Sequence, residues 1–310
     1  MPAALAARAA AYGALDDGVP PVLLTVPEGV TGPVAGVQVH AVRGPKAPAA
    51  LVSKGKPCGR TFEAASHRFI ALSGLVAPES GTREQQARAL FEMADAALRQ
   101  AGGSMHTVAR TWLWLGDILA WYGEFNRVRN RFFTECGLLN GDPSHNHLPA
   151  STGIGVRPAG GAALALDVVA TVGPKASIEY FGAAGNQLSA FDYGSAFSRS
   201  ARATTPAGET VYISGTASID KAGKTIHLGE VEGQVDVTIK NIRAALQDAN
   251  CGDGDVVQAF VYSKTPEVDR YFRKQYGDIE WPCIAVISDV CRDDLLFEVE
   301  ATACPGARKA

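Results

Sequence analysis

The apolar positions along this chain change their period in a fixed order, and that order occurs twice. In the first half, the run at 69–74 reads as a strand. Residues 83–100 then carry apolar side chains at three- and four-residue spacing, stop at Gly102-Gly103, and read as a helix. A β-rich run at 108–115 predicts a strand and the polar-aromatic stretch 122–133 a second helix. Past the turn-rich segment 140–149, further strands are expected at 153–157 and 163–172. The second half gives a strand at 211–215, a helix at 235–250 stopped by Cys251-Gly252, a strand at 256–262 and a helix at 268–276. A closing hairpin of strands 284–290 and 295–303 turns at Arg292-Asp293-Asp294.

The two endings also align. Leu166-Asp167-Val168-Val169-Ala170-Thr171 matches Phe297-Glu298-Val299-Glu300-Ala301-Thr302, which sets Glu298 against Asp167 and Glu300 against Val169. A repeat in order, spacing and terminal motif predicts two tandem α+β copies. Each would be a mixed sheet with helices packed on one face, the two layers side by side with a cleft between them. The expected division is an N-terminal extension with the first strands at 1–60, an N-terminal module at 61–175, a linker with a binding loop at 176–206, and a C-terminal module at 207–310. Residues 1–34, rich in Ala, Gly and Pro, are expected to wrap or fray.

Composition narrows the classes of partner. The chain has 310 residues, 46% of them apolar and 20% charged, and a formal net charge of −3. That balance supplies no basic surface for phosphate backbones or anionic lipid, so nucleic-acid and membrane partners are not expected. No secretory leader pattern or membrane-length apolar run occurs, which predicts a cytoplasmic protein. The six cysteines show no C-x-x-C pair and read as reduced packing residues. A duplicated chain is compatible with a monomer or a homo-oligomer.

Candidate chemistry centres on Glu298. Strand alternation puts Phe297 and Val299 on one face and Leu296, Glu298 and Glu300 on the other, beside the expected cleft. A carboxyl desolvated there would hold a proton near neutrality, whereas on a solvated outer face it would be an ordinary acid. Cys291, at the end of the preceding strand, is a candidate donor or nucleophile with packing as the plainer reading. Arg292, Asp293 and Asp294 read as turn polarity. Among the arginines, Arg129 shares a helix face with Tyr122, Arg157 ends the glycine-rich run Ser151-Thr152-Gly153-Ile154-Gly155, and Arg199 lies in the aromatic loop with Tyr193. Planar guanidinium groups suit carboxylates, so the set points to an anionic substrate. Walker, dinucleotide and G-x-S-x-G motifs are absent. His145-Asn146-His147 offers no third ligand, and neither metal nor cofactor is implied.

The module order and the closing Phe297-Glu298-Val299-Glu300-Ala301 resemble the RidA (YjgF, chorismate-mutase-like) fold. Deaminases of that fold bind the substrate carboxylate with an arginine just after a proline. Here the equivalent stretches read Leu148-Pro149-Ala150-Ser151 and Trp281-Pro282-Cys283-Ile284, which lack it. A fuller resemblance, from about Arg68 onward, is to the chorismatases. It is carried by Arg110-Thr111-Trp112, Tyr122 with Phe125-Asn126 and Arg129, Leu148-Pro149-Ala150-Ser151-Thr152-Gly153-Ile154-Gly155, Phe197-Ser198-Arg199, Ser214-Gly215-Thr216-Ala217-Ser218, and Cys291 with Glu298.

That resemblance implies cofactor-independent loss of the enolpyruvyl group of chorismate as pyruvate, with Glu298 assisting protonation and the arginines, Tyr122, Tyr193, Gly215, Thr216 and Ala217 binding substrate. A cysteine at the position of Cys291 marks the branch that makes 3-hydroxybenzoate. The other products in reach are a dihydroxycyclohexadiene carboxylate or 4-hydroxybenzoate. A RidA-like deaminase or ligand-binding protein is the alternative of another class. Two departures touch the binding side: the loop 193–199 is shorter than the family form and lacks its arginine, and Val128 stands where glycine is common.

Overall fold

The computed structural model describes residues 2–25, 36–44, 46–53, 55–139, 147–183 and 187–306, with the side chains of Pro2, Asp192 and Tyr193 outside the description. After a short helix α1 (Pro2–Tyr12), the first module runs β1 (Ala49–Ser53), β2 (Lys56–Glu63), β3 (Arg68–Leu75), α2 (Arg83–Gln100), β4 (Val108–Leu115), α3 (Tyr122–Glu135), β5 (Ala150–Ile154) and β6 (Leu164–Val172). The second runs β7 (Ile178–Phe181), β8 (Ser200–Thr205), β9 (Gly208–Ala217), α4 (Val231–Asp248), β10 (Val256–Ser263), α5 (Pro266–Tyr276), β11 (Cys283–Ile287) and β12 (Phe297–Ala303). The sheet orders β1-β2-β3-β6-β4-β5 and β11-β10-β12-β9-β8-β7 are the same order read from opposite ends, so the duplication is in the topology itself.

Local signals account for the helices. Thr82 caps α2 through the Gln85 amide while the Gln85 side chain accepts from the Thr82 amide, and Leu90, Phe91, Ala94 and Leu98 form its buried stripe. α4 ends at Asp248, and Asn250, with a φ of 56°, reverses the chain one residue before the expected Cys251-Gly252 stop.

Three expectations change with the tertiary structure. The closing strands do not form a hairpin: β11 lies parallel to β10 and β12 antiparallel on its other side, so β10 separates them. The parallel pair needs a crossover, which α5 supplies. The same holds for β5, β4 and β6 in the first module. Residues 176–206, expected as a linker with a binding loop, also supply β7 and β8 of the second sheet.

The layers are also not side by side. α2 and α3 cover the outer face of one sheet and α4 and α5 that of the other, while the inner faces meet. Trp112, Trp114, Ala165 and Val169 of the first module pack there against Ala201, Tyr212, Phe260 and Tyr262 of the second. Burying both faces leaves every residue of β4 buried, which is why that strand reads as continuous apolar sequence.

Candidate active site

At one end of the sandwich, β5 of the first module runs against β9 of the second. Ser214 Oγ accepts from the Ser151 amide (2.8 Å), and the Gly215 amide donates to Thr152 Oγ1 (3.0 Å). A register shift in the β9/β12 pairing, between Val299↔Thr216 and Ala301↔Ile213, loosens the ladder here. Alternation along β12 sends Phe297, Val299 and Ala301 into the helix-covered core and Glu298 and Glu300 toward the first module. The Glu298 carboxyl lies over Gly215, where any Cβ would overlap Glu298 Oε1; the absence of a side chain there admits the acid.

Glu298, only 5% exposed, closes one side of a cavity of about 170 Å³ at this junction. α3 contributes Tyr122, Asn126 and Arg129, and β5 contributes Ser151 and Gly153. Ser195, Phe197 and Arg199 come from the segment before β8, and Gly215 and Ala217 from β9. Ile219, Cys291, Arg292 and Leu295 complete the lining.

The charges are firmly placed. Arg129, 2% exposed, donates to Asn126 Oδ1 (2.7 Å) and lies over the rings of Phe125 and Phe197, 5.3 and 5.8 Å from their centroids. Arg199, 3% exposed, donates from Nε to the Leu188 carbonyl (3.1 Å), and Arg292 donates from Nη1 to the Gly223 carbonyl (2.6 Å).

The titratable groups facing these cations keep their protons. Burial, and then the Glu300 carboxylate, pushes the Glu298 carboxyl up to about 8, against a smaller pull from Arg110, Arg199 and Arg292. Burial, and then Glu298, pushes the Cys291 thiol up to about 12, although its side chain is partly open to the cavity. Tyr122 is likewise raised to about 12 by burial and then by Cys291. At neutral pH the cavity therefore presents a carboxylic acid, a thiol and a phenol among guanidinium groups. Such an arrangement suits an anion and can give it a proton.

Of the residues singled out in the sequence, the structure brings Glu298, Cys291, Tyr122, Arg129, Arg199, Gly215 and Ala217 to this cavity. Thr216 is adjacent but does not line it; its hydroxyl donates to the Ser214 carbonyl (3.0 Å). Arg157 is elsewhere. β5 ends at Ile154, so Arg157 is past the strand. There it pairs with Asp117 (2.7 Å), which also holds Arg83 (2.9 Å), beside a surface depression of about 310 Å³. The Tyr193 side chain, and His145 and Asn146, lie outside the described residues.

Arg292, Ser195, Ile219 and Leu295 were not indicated by sequence. Arg292 had one available signal, its place next to Cys291. The register also corrects the alignment of the two endings. Trp112↔Asp167 corresponds to Phe260↔Glu300, and Trp114↔Ala165 to Tyr262↔Glu298, so Glu300 is the counterpart of Asp167 and Glu298 that of Ala165. The first module has no acid at the position of Glu298.

Residues 190–304 match the family described as Endoribonuclease L-PSP, and a RutC family protein of Pyrococcus abyssi is 28% identical over 100 residues, 31% of this chain and 79% of that one. With the two sheets, this makes the molecule a tandem of RidA/YjgF-type modules. Along most of its length the chain is similar to the chorismatases. A chorismatase of Streptomyces hygroscopicus is 28% identical over 244 residues, covering 72% of this chain and 68% of the relative. A 3-hydroxybenzoate synthase of the same organism is 28% identical over 254 residues, covering 72% and 70%. A crystal structure of a chorismatase superposes with a TM-score of 0.61 at 23% identity, over 79% of this chain and 77% of the other, and shares its fold.

Proposed function

We propose that this protein is a chorismatase that splits chorismate into pyruvate and 3-hydroxybenzoate. The observation that carries the reading is Glu298, a carboxyl only 5% exposed, facing a cavity lined by Arg129, Arg199 and Arg292; burial pushes it up to about 8, so that it keeps its proton at neutral pH. Chorismate is a dianion with an enol ether. The arginines offer its carboxylates bidentate partners, and Glu298 offers the enol methylene a proton. Protonation there leaves an oxocarbenium-like ether carbon. The ring's own hydroxyl adds to it, giving up its proton. Loss of the ring proton beside the ether, with cleavage of the bond from the ring to the former hydroxyl oxygen, aromatises the ring. Collapse of the resulting hemiketal releases 3-hydroxybenzoate and pyruvate, whose methyl group carries the Glu298 proton, whereas water adding instead gives the hydrolytic product. The positive charge that develops next to a carboxylate is formed in a water-poor site, where fixed charges act strongly.

Support for 3-hydroxybenzoate comes from Cys291 and from the relative that bears that name. Loss of pyruvate by internal rearrangement conserves all atoms between the two products, whereas the hydrolytic branch consumes water. The protonated thiol beside Glu298 is suited to hydrogen bonding rather than to thiolate attack. Incubation with chorismate in D2O should give pyruvate with one deuterium in its methyl group, and chromatography should show 3-hydroxybenzoate. No pyruvate above the level given by Glu298→Gln would end this reading. A dihydroxycyclohexadiene carboxylate as the product would move the protein to the hydrolytic branch.

A further inference from the structure

Glu300, two residues beyond Glu298 on the same face of β12, is 2% exposed and does not line the cavity. Tyr262 of β10 lies against it, and two donors from the first module hold its carboxylate. Trp112 Nε1 donates to Oε1 (2.6 Å) and Arg110 Nη2 to Oε2 (2.8 Å), with the Arg110 guanidinium 4.8 Å from the centre of the Trp112 ring. Arg110, 1% exposed, also donates to Thr152 Oγ1, which accepts from the Gly215 amide beneath Glu298. The counterpart acid Asp167 is held differently. Its partners, the Trp114 indole (3.0 Å) and the Gly74 amide (2.8 Å), come from its own module. The acid next to the cavity is thus the one clamped across the junction.

A buried ion pair of this kind is a poor device for stability, because apolar side chains of similar volume do as well or better in its place. A function beyond holding the modules together is called for. We propose that Glu300 is a positioning residue for Glu298: a negative charge, fixed by Arg110 and Trp112 of the first module, that keeps the Glu298 proton at the cavity. The role presupposes Glu298 as the proton donor described above, and it makes proton delivery depend on correct docking of the two modules. The other groups that bear on Glu298 are Tyr262 from β10, Tyr122 and Arg129 from α3, Arg199, and Cys291 with Arg292. None of these adds a second fixed negative charge at neutral pH.

The test reads Glu298 directly, by 13C NMR titration of the glutamate side-chain carboxyls in the ligand-free protein, its signal assigned by loss in Glu298→Gln. In Glu300→Gln the Glu298 midpoint should fall by roughly one pH unit or more, because the repulsion is gone and Arg110 remains. Glu300→Asp, which keeps the charge, should stay near wild type. If the single neutral variant does not fold, Arg110→Met with Glu300→Met serves in its place, with a midpoint below that of wild type. A midpoint unmoved in whichever neutral variant folds overturns the proposal. This holds whether or not the protein releases pyruvate, so failure of the chorismatase reading is scored separately. If both readings hold, the alkaline limb of pyruvate release in Glu300→Gln moves to lower pH with the NMR midpoint, which a purely structural role would not produce.

Discussion

Replacing Glu298 by glutamine should destroy activity and at the same time stabilise the fold, with a gain that grows with pH. Unfolded, the carboxyl titrates near 4.5; in the cavity it titrates at about 8. Between those values the folded protein holds a proton that the unfolded chain has released, so wild-type stability falls as pH rises through this window. The glutamine variant has no such dependence. Each unit corresponds to about 1.4 kcal/mol, so the pH-dependent advantage of Glu298→Gln is near zero at pH 4.5, about 3 kcal/mol at pH 7 and about 5 kcal/mol well above pH 8.

Whatever the amide itself gains or loses in the cavity is constant with pH and does not enter this difference. Urea unfolding of both proteins at pH 5, 6, 7 and 8 measures it, the midpoints being converted through a common m-value. Wild-type and variant curves that run parallel across that range would refute the assignment of a buried, protonated Glu298. Pyruvate release by the same variant should drop by about 10²–10⁴-fold, the usual contribution of a positioned general acid.

Three further outcomes are expected. Gly215→Ala places a methyl group against the Glu298 carboxyl and 3.1 Å from Thr152 Cγ2, so the acid must turn aside; kcat for pyruvate should fall by about 10²-fold, with circular dichroism showing an intact fold. Cys291, with its thiol raised to about 12, should resist iodoacetamide at pH 7 while exposed Cys283 is labelled, and peptide mass mapping that finds Cys291 modified first would contradict its placement. Arg129→Gln removes a buried partner for a substrate carboxylate and should raise KM by about 10–100-fold, whereas Arg157→Ala, on the surface pair with Asp117, should leave KM within about 2-fold; equal effects would show that the cavity is not where the substrate binds.

The linear sequence determined a good deal of this molecule. Helix α2 and strand β4 fall at the residues their apolar spacing indicates, since a capping box, a glycine stop and an unbroken β-rich run are local signals. The duplication was legible as well, and so was the face that Glu298 shares with Glu300, because side-chain alternation follows from the strand alone. Tertiary structure decided how the pieces meet. Whether the last two strands pair with each other or flank a third is a long-range choice, and β10 takes the place between them. Arg157 looked like a binding residue until β5 ended at Ile154, and Arg292 looked like turn polarity until the loop folded over the cavity.

The deepest difference concerns the acid itself. Sequence placed Glu298 on a face without saying whether water would reach that face. Burial against the first module, a gap at Gly215 and a neighbouring Glu300 clamped by Arg110 and Trp112 rest on contacts between residues 83 to 190 positions apart or on opposite modules. Desolvation and charge repulsion depend on distance in space, so a carboxyl that holds its proton near neutrality exists only once both modules are folded and docked.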